Sequence, residues 1–120
     1  MENTLFVFAG NEELSYDEPI YWGHGYRIFE NNYYSLLAKA KKILILDSLG
    51  YSATYVIQDP SEVILGFPIK HMRKFQKKLY LVIGDMQTLM RFYHSDLDVP
   101  SLVKTSELMR AAENMLRILK

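Results

Sequence analysis

The sequence predicts an α+β fold, in which a small mixed, mostly antiparallel sheet is packed with helices. Residues 52–58 alternate between apolar and polar side chains like a half-buried strand, and a turn at 59–62 joins them to an apolar run at 63–67. Residues 32–49 carry apolar side chains at helical spacing, and a second helical pattern follows Ser101. The predicted order is β-α-β-β followed by two C-terminal helices.

The N-terminal third predicts a strand, a loop and a short hairpin. Residues 4–10 contain consecutive Leu, Phe and Val side chains, which favour a strand, and the polar residues 11–19 favour a loop. Residues 20–22 and 26–29 flank Gly23-His24-Gly25, whose glycines allow the backbone angles of a tight hairpin turn.

The first predicted helix covers residues 32–49. Asn31 or Asn32 provides an N-cap, and Gly50 suits the residue after the last helical turn. Its last turns are apolar on nearly all sides, which predicts deep burial.

Residues 68–94 allow two interpretations. Their apolar residues keep a helical stripe throughout, which favours one long helix that begins near Pro68. The alternative divides the segment into a helix at 69–77, a strand at 79–83 and a helix at 86–94 capped by Asp85. That division would give a ferredoxin-like βαββαβ order with an added C-terminal helix.

Composition limits the class of protein. The 120 residues include 14 Lys plus Arg, 14 Asp plus Glu and no cysteine, which favours one domain over residues 1–120. These values exclude a disulfide scaffold and Cys-ligated metal sites, and they argue against a general nucleic-acid coat. No basic leader and no apolar run of about 20 residues is present, so we expect a cytoplasmic protein without a membrane span.

The charge and the aromatic residues are unevenly distributed. Residues 1–30 hold six acids and one base, whereas residues 61–90 have a net charge of +3. Nine of the 16 aromatic residues fall between Phe6 and Tyr34. This acidic, aromatic region is typical of a surface that contacts a partner, and also of aromatic packing beside an acidic loop. The predicted partner-binding residues are Tyr16, Asp17, Glu18, Tyr21, Trp22, His24 and Tyr26.

The three histidines do not form a metal-binding motif. His24, His71 and His94 are separated beyond the ligand spacing of any single element, so we expect no metal and no cofactor. His24 stands between two glycines and close to Asp17 and Glu18, which is compatible with general acid–base catalysis and equally with a surface turn.

A basic cluster occupies the middle of the chain. On a helix it would form a face suited to an anion, to an acidic protein or simply to solvent. Its members are Lys70, Arg73, Lys74, Lys77 and Lys78. Five methionines fall on predicted apolar helix faces, where they would fill a core or provide an adaptable contact surface: Met72, Met86, Met90, Met109 and Met115.

Three functions fit these patterns. The first is a non-catalytic protein that occupies a partner's surface through the acidic, Tyr/Trp-rich N-terminal region, as an inhibitor or modulator, and that forms a homodimer. The second is a binder of an anionic or nucleotide-like ligand, which would stack on aromatic residues and be neutralised by the basic cluster. The third is a small enzyme that uses His24 with Asp17 or Glu18. Neither specific nucleic-acid binding nor membrane binding is expected.

Overall fold

A computed structural model describes residues 3–11, 23–66 and 69–120. Within these residues the chain forms five helices, three strands and two short 3₁₀ turns. The elements are α1 (His24–Lys39), β1 (Ile43–Asp47), β2 (Thr54–Ile57), α2 (Pro60–Gly66), α3 (Met72–Phe75) with a 3₁₀ turn at Gln76–Lys78, β3 (Leu79–Gly84), α4 (Met86–Leu89), a 3₁₀ turn at Pro100–Leu102, and α5 (Thr105–Leu119).

The strands form one mixed sheet in the order β1-β3-β2. β1 pairs with β3 in parallel, from Ile43 opposite Leu79 to Asp47 opposite Ile83. β2 pairs with β3 antiparallel, with Val56 opposite Val82. The predicted α+β class, with a small mixed sheet packed with helices, is therefore confirmed. The sheet is not mostly antiparallel as predicted, since one of its two strand pairings is parallel.

The core lies on both faces of the central strand. One face packs against α1, α2 and α3 in a buried cluster of Leu37, Ile45, Val63, Ile69, Phe75, Leu79, Leu81 and Ile83. Val82 points to the opposite face and is fully buried. On that side α5 contacts β2, and its two ends are attached next to β1: the Lys104 N–H donates to the Gly50 carbonyl at 2.7 Å, and Lys42 Nζ donates to the Ile118 carbonyl.

The prediction for the N-terminal residues is wrong where the structure describes them. Residues 4–11 form no strand. Residues 26–29, predicted as the second strand of a hairpin, belong instead to the start of α1. Gly23 adopts the left-handed conformation (φ 73°) immediately before this helix. Residues 12–22 lie outside the described part of the chain.

The single helix predicted for residues 32–49 is wrong, because these residues belong to a helix and a strand. The helix begins earlier, at His24, and ends at Lys39, while Ile43–Asp47 is strand β1. A short segment that is apolar on all sides fits a strand covered on both faces as well as a buried helix, and periodicity alone does not separate the two.

The predicted strand at 63–67 is also wrong, since residues 60–66 form α2. Asp59 accepts a hydrogen bond from the Ser61 N–H at 2.8 Å, Pro60 occupies the first helical position, and Glu62 lies in the first turn. Asp-Pro-Ser-Glu is therefore a helix start rather than the turn of a hairpin. The preceding predicted strand is confirmed as β2.

The long helix predicted for residues 68–94 is wrong, and the helix–strand–helix order of the alternative division is confirmed. The helices are shorter than that division predicts, since α3 covers Met72–Phe75 and α4 ends at Leu89 rather than at residue 94. α3, β3 and α4 follow one another, and the Asp85 carboxylate accepts from the Gln87 N–H at 3.2 Å. The whole corresponds only loosely to a ferredoxin-like order, since three strands occur in the described residues. The last helix begins at Thr105 and not at Ser101. No helix of the described residues is sufficiently long and apolar to cross a membrane.

Candidate functional site

The N-terminal binding region, defined here as residues 5–26, is described at its two ends. Tyr16, Asp17, Glu18, Tyr21 and Trp22 lie outside the described residues. His24 and Tyr26 are in the first turn of α1, where both are half-buried and Tyr26 packs against the core. The predicted pairing of His24 with Asp17 or Glu18 therefore stays a prediction.

The two glycines around His24 have separate structural roles. Gly23 supplies the left-handed residue before α1. Gly25 allows the backbone of Gly10 to approach, because a Cβ atom at Gly25 would lie 1.9 Å from the Gly10 carbonyl oxygen. The Gly-His-Gly motif thus positions the preceding chain against α1.

The N-terminal apolar segment, Leu5–Phe8, exposes all four of its side chains. Their exposed fractions run from 46% for Val7 to 95% for Phe8. A run of four large apolar side chains on the surface is unusual for an isolated soluble chain and is typical of a contact surface.

The basic cluster divides into one structural lysine and four exposed cations. Lys78 Nζ donates to the carbonyls of Leu37, Ala38 and Ala40 at 2.7, 2.9 and 2.9 Å. An ammonium group has three donors, so Lys78 has none left for an anion. Lys78 instead satisfies the carbonyl groups left unpaired at the C-terminal end of α1 and offsets their partial negative charge.

The other four cations are exposed around α3. Lys74 Nζ lies 5.7 Å from the centre of the Tyr34 ring, a cation–π contact that holds it beside α1. Lys70, Arg73 and Lys77 are also exposed. These side chains leave a basic surface that could receive an anion or an acidic protein segment.

Sequence reasoning missed a buried charged site between α1 and the start of α3. Glu30 is 1% exposed, and its carboxylate accepts hydrogen bonds from the Lys70 N–H at 2.8 Å and the His71 N–H at 2.9 Å. His71 Nδ1 lies 2.8 Å from Glu30 Oε1, and Arg27, one turn away on α1, is 2% exposed. α1 begins at His24, and its inward-facing stripe therefore contains Arg27, Glu30, Tyr34 and Leu37. The two charged residues in that stripe, Arg27 and Glu30, are a sequence signal for this site. The hairpin prediction missed it, because it did not place them on a helix.

This pair has a definite chemical consequence. With Nδ1 held by the carboxylate, the imidazole orientation is fixed and Nε2 is left for another partner. His71 is 41% exposed, and its ring meets Tyr34 edge to face at 5.1 Å. Through its hydrogen bonds to the Lys70 and His71 N–H groups, the Glu30 carboxylate fixes the turn before α3.

A cavity of about 240 Å³ opens beyond the carboxyl end of β1. Asp47, Tyr51, Phe92 and Asp98 are among its lining residues, together with His94. The volume is below the range of about 300–1,000 Å³ that is usual for small-molecule sites. A second, more open groove of about 400 Å³ follows β2 and is lined by Tyr55, Ile57, Ile83, Gly84, Asp85, Met86 and Gln87.

Several methionines predicted to fill the core lie on the surface. Met86, Met90 and Met109 are exposed, so the core prediction is wrong for them and the contact-surface alternative remains. Among the described residues no group of three or more His, Asp or Glu side chains is arranged to hold a metal ion. Comparison of the chain with protein-family models, with curated proteins and with solved structures found no match.

Proposed function

We propose that this chain is a non-catalytic cytoplasmic protein that binds a protein partner through its N-terminal binding region and so inhibits or modulates that partner. The observation that carries the proposal is the exposure of all four side chains of Leu5–Phe8. Buried apolar and aromatic side chains supply most of the energy of protein interfaces, and these four are uncovered in the free chain.

The rest of the region adds charge and a fixed starting point. Four acids lie within the N-terminal binding region, Glu12, Glu13, Asp17 and Glu18, so the partner surface should be basic around an apolar centre. The close approach of Gly10 to Gly25 attaches the region to α1. A region anchored in this way loses less conformational entropy on binding than a free tail.

The proposal is tested with two matched triple variants. Asp17→Asn/Glu18→Gln/Tyr21→Ser removes two charges and one aromatic ring from the region. Tyr33→Ser/Asp96→Asn/Glu113→Gln removes the same groups from exposed positions elsewhere. Proteins captured from the native host by each chain are quantified by mass spectrometry, after both variants are shown to unfold at the wild-type temperature.

A partner that meets this proposal is captured equally by wild type and by the control variant, and at least about tenfold less by the N-terminal variant. Its capture also falls as salt rises, because the acids contribute to recognition. Equal capture by both variants, or loss only in the control, would contradict the proposal.

The exposed cations of the basic cluster favour a second candidate, the binding of an anionic ligand. A nucleotide or polyphosphate would then raise Tm by several degrees in wild type and not in Arg73→Gln/Lys77→Gln. Lys78 is left unchanged in that variant, because its donors are already used by α1.

A further inference from the structure

The N-terminal apolar segment has the composition of a strand without a strand's partner. In the described part of the chain, no hydrogen bond joins the backbone of residues 4–8 to another element. Leu, Phe and Val side chains favour extended structure, and unpaired N–H and C=O groups in such a segment are available to a sheet edge. The chain itself leaves these side chains exposed.

The sheet offers an edge of matching character at β2. β2 pairs with β3 on one side, and within the described residues its other side is unpaired. Tyr55 is 53% exposed and Val56 is 41% exposed, and adjacent residues of a strand point to opposite faces. Apolar surface is thus available above and below this edge, which is the condition under which sheets add a further strand.

The groove beside β2 supplies a place for side chains of an added strand. It lies on the face of Tyr55 and Ile57 and is partly lined by Met86. Phe6 and Phe8 would share one face of an added strand, whereas Leu5 and Val7 would share the other. The phenyl rings would then enter the groove, and the aliphatic side chains would cover Val56.

We propose that Leu5–Phe8 of one copy pairs with the free edge of β2 in a second copy of this chain, in a reciprocal exchange that makes a symmetric dimer. Both elements lack charge, since residues 3–11 and 52–58 contain no Asp, Glu, Lys or Arg. Backbone pairing and apolar burial therefore hold the contact, and high salt leaves it intact. Leu5–Phe8 is also the segment whose exposure carries the proposed function, so this dimer and the protein partner compete for it. The dimer differs from an electrostatic dimer of acidic and basic regions.

Crosslinking between single-cysteine chains tests the contact directly, because the natural chain has no cysteine. A tagged Tyr55→Cys chain is mixed with an untagged Phe8→Cys chain and treated with a short bis-maleimide. We expect a crosslinked product that contains one chain of each kind. Met109→Cys, at an exposed position of α5, replaces Phe8→Cys in the control mixture and should give no more product than random collision.

Two results would overturn the proposal. One is the absence of the mixed product above the Met109→Cys control. The other is a monomeric crosslink within a Phe8→Cys/Tyr55→Cys double variant, which would show that the segment pairs with its own sheet. Light scattering adds a second measurement: Val56→Lys should raise the dimer dissociation constant at least about tenfold, and Met109→Lys should not. If Met109→Lys raised the dimer dissociation constant and Val56→Lys did not, the dimer contact would lie on α5 instead.

Discussion

Glu30 Oε1 and His71 Nδ1 lie 2.8 Å apart, and the same carboxylate receives the backbone N–H groups of Lys70 and His71. These contacts join the middle of α1 to the turn before α3 across about 40 residues of sequence. Phe75 follows on α3 and belongs to the buried core, where its ring lies 5.5 Å from Tyr34. A polar connection thus fixes the position of an apolar packing element.

Glu30→Gln should destabilise the protein by about 1–3 kcal/mol, because the amide nitrogen cannot accept a hydrogen bond and leaves a buried donor unsatisfied. His71→Ala should cost less, since this side chain is partly exposed and both backbone bonds to Glu30 persist. Urea unfolding of the two variants measures the difference. A Glu30→Gln protein as stable as wild type would contradict the role given to this carboxylate.

Lys78 and Lys77 provide a matched pair for the end of α1. Lys78→Met keeps the aliphatic stem and removes three hydrogen bonds to α1 carbonyls, so we expect a loss of about 1–3 kcal/mol in the free energy of unfolding. Lys77→Met, at an exposed position, should change the free energy by less than about 0.5 kcal/mol. Chemical denaturation distinguishes the two, and equal effects would contradict the capping role of Lys78.

Gly25 and Gly10 provide a second matched pair. A Cβ at Gly25 would overlap the Gly10 carbonyl oxygen, whereas a Cβ at Gly10 would meet nothing within 4 Å. Gly25→Ala should therefore displace the N-terminal segment and weaken partner capture, and Gly10→Ala should leave both unchanged. Limited proteolysis within residues 3–11 is the structural readout, with faster cleavage expected only in Gly25→Ala. Equal cleavage rates would show that the two backbones do not meet.

Asp59 gives a prediction for pH dependence. Hydrogen bonds from the Ser61 hydroxyl and from the Ser61 backbone N–H hold the pKa of Asp59 below its ordinary value of 3.8. Because the folded-state pKa is the lower one, the carboxylate stabilises the protein above the ordinary pKa, and this contribution is lost as pH falls through the folded-state value. The stability difference between wild type and Asp59→Ala should therefore be larger at about pH 6 than at about pH 2. If this stability difference instead increased as the pH fell, it would contradict the role given to the Asp59 carboxylate.

The sequence predicted the elements whose side-chain pattern matches their burial. β2 follows simple alternation, and Asp85 marks the start of α4 as expected from its capping chemistry. β3 is predicted only when residues 68–94 are divided into helix, strand and helix. Its residues Leu79, Val82 and Ile83 suit a helical stripe as well as a strand. Gly84, which the long helix would have had to accommodate, instead ends this strand where a Cβ would lie 2.1 Å from the Ser48 carbonyl oxygen.

The start of α1 could not be predicted, because its inward face is not uniformly apolar. Arg27 and Glu30 are both buried there, and the partners of Glu30, Lys70 and His71, are about 40 residues away, so local periodicity contains no information on them. Gly23 and Gly25 also resemble turn residues until the close approach of Gly10 is known. The acidic, aromatic character of the N-terminal binding region, in contrast, is visible in the sequence.

Photocrosslinking in the native host tests the central claim most directly. A photoreactive phenylalanine analogue is placed at Trp22, inside the N-terminal binding region, or at Tyr33, an exposed position of α1 outside it. We expect one discrete crosslinked partner from position 22, which disappears in the Asp17→Asn/Glu18→Gln/Tyr21→Ser background, and no such product from position 33. The same product from position 33, or none from position 22 when the folded chain is present in its host, would contradict binding through this region.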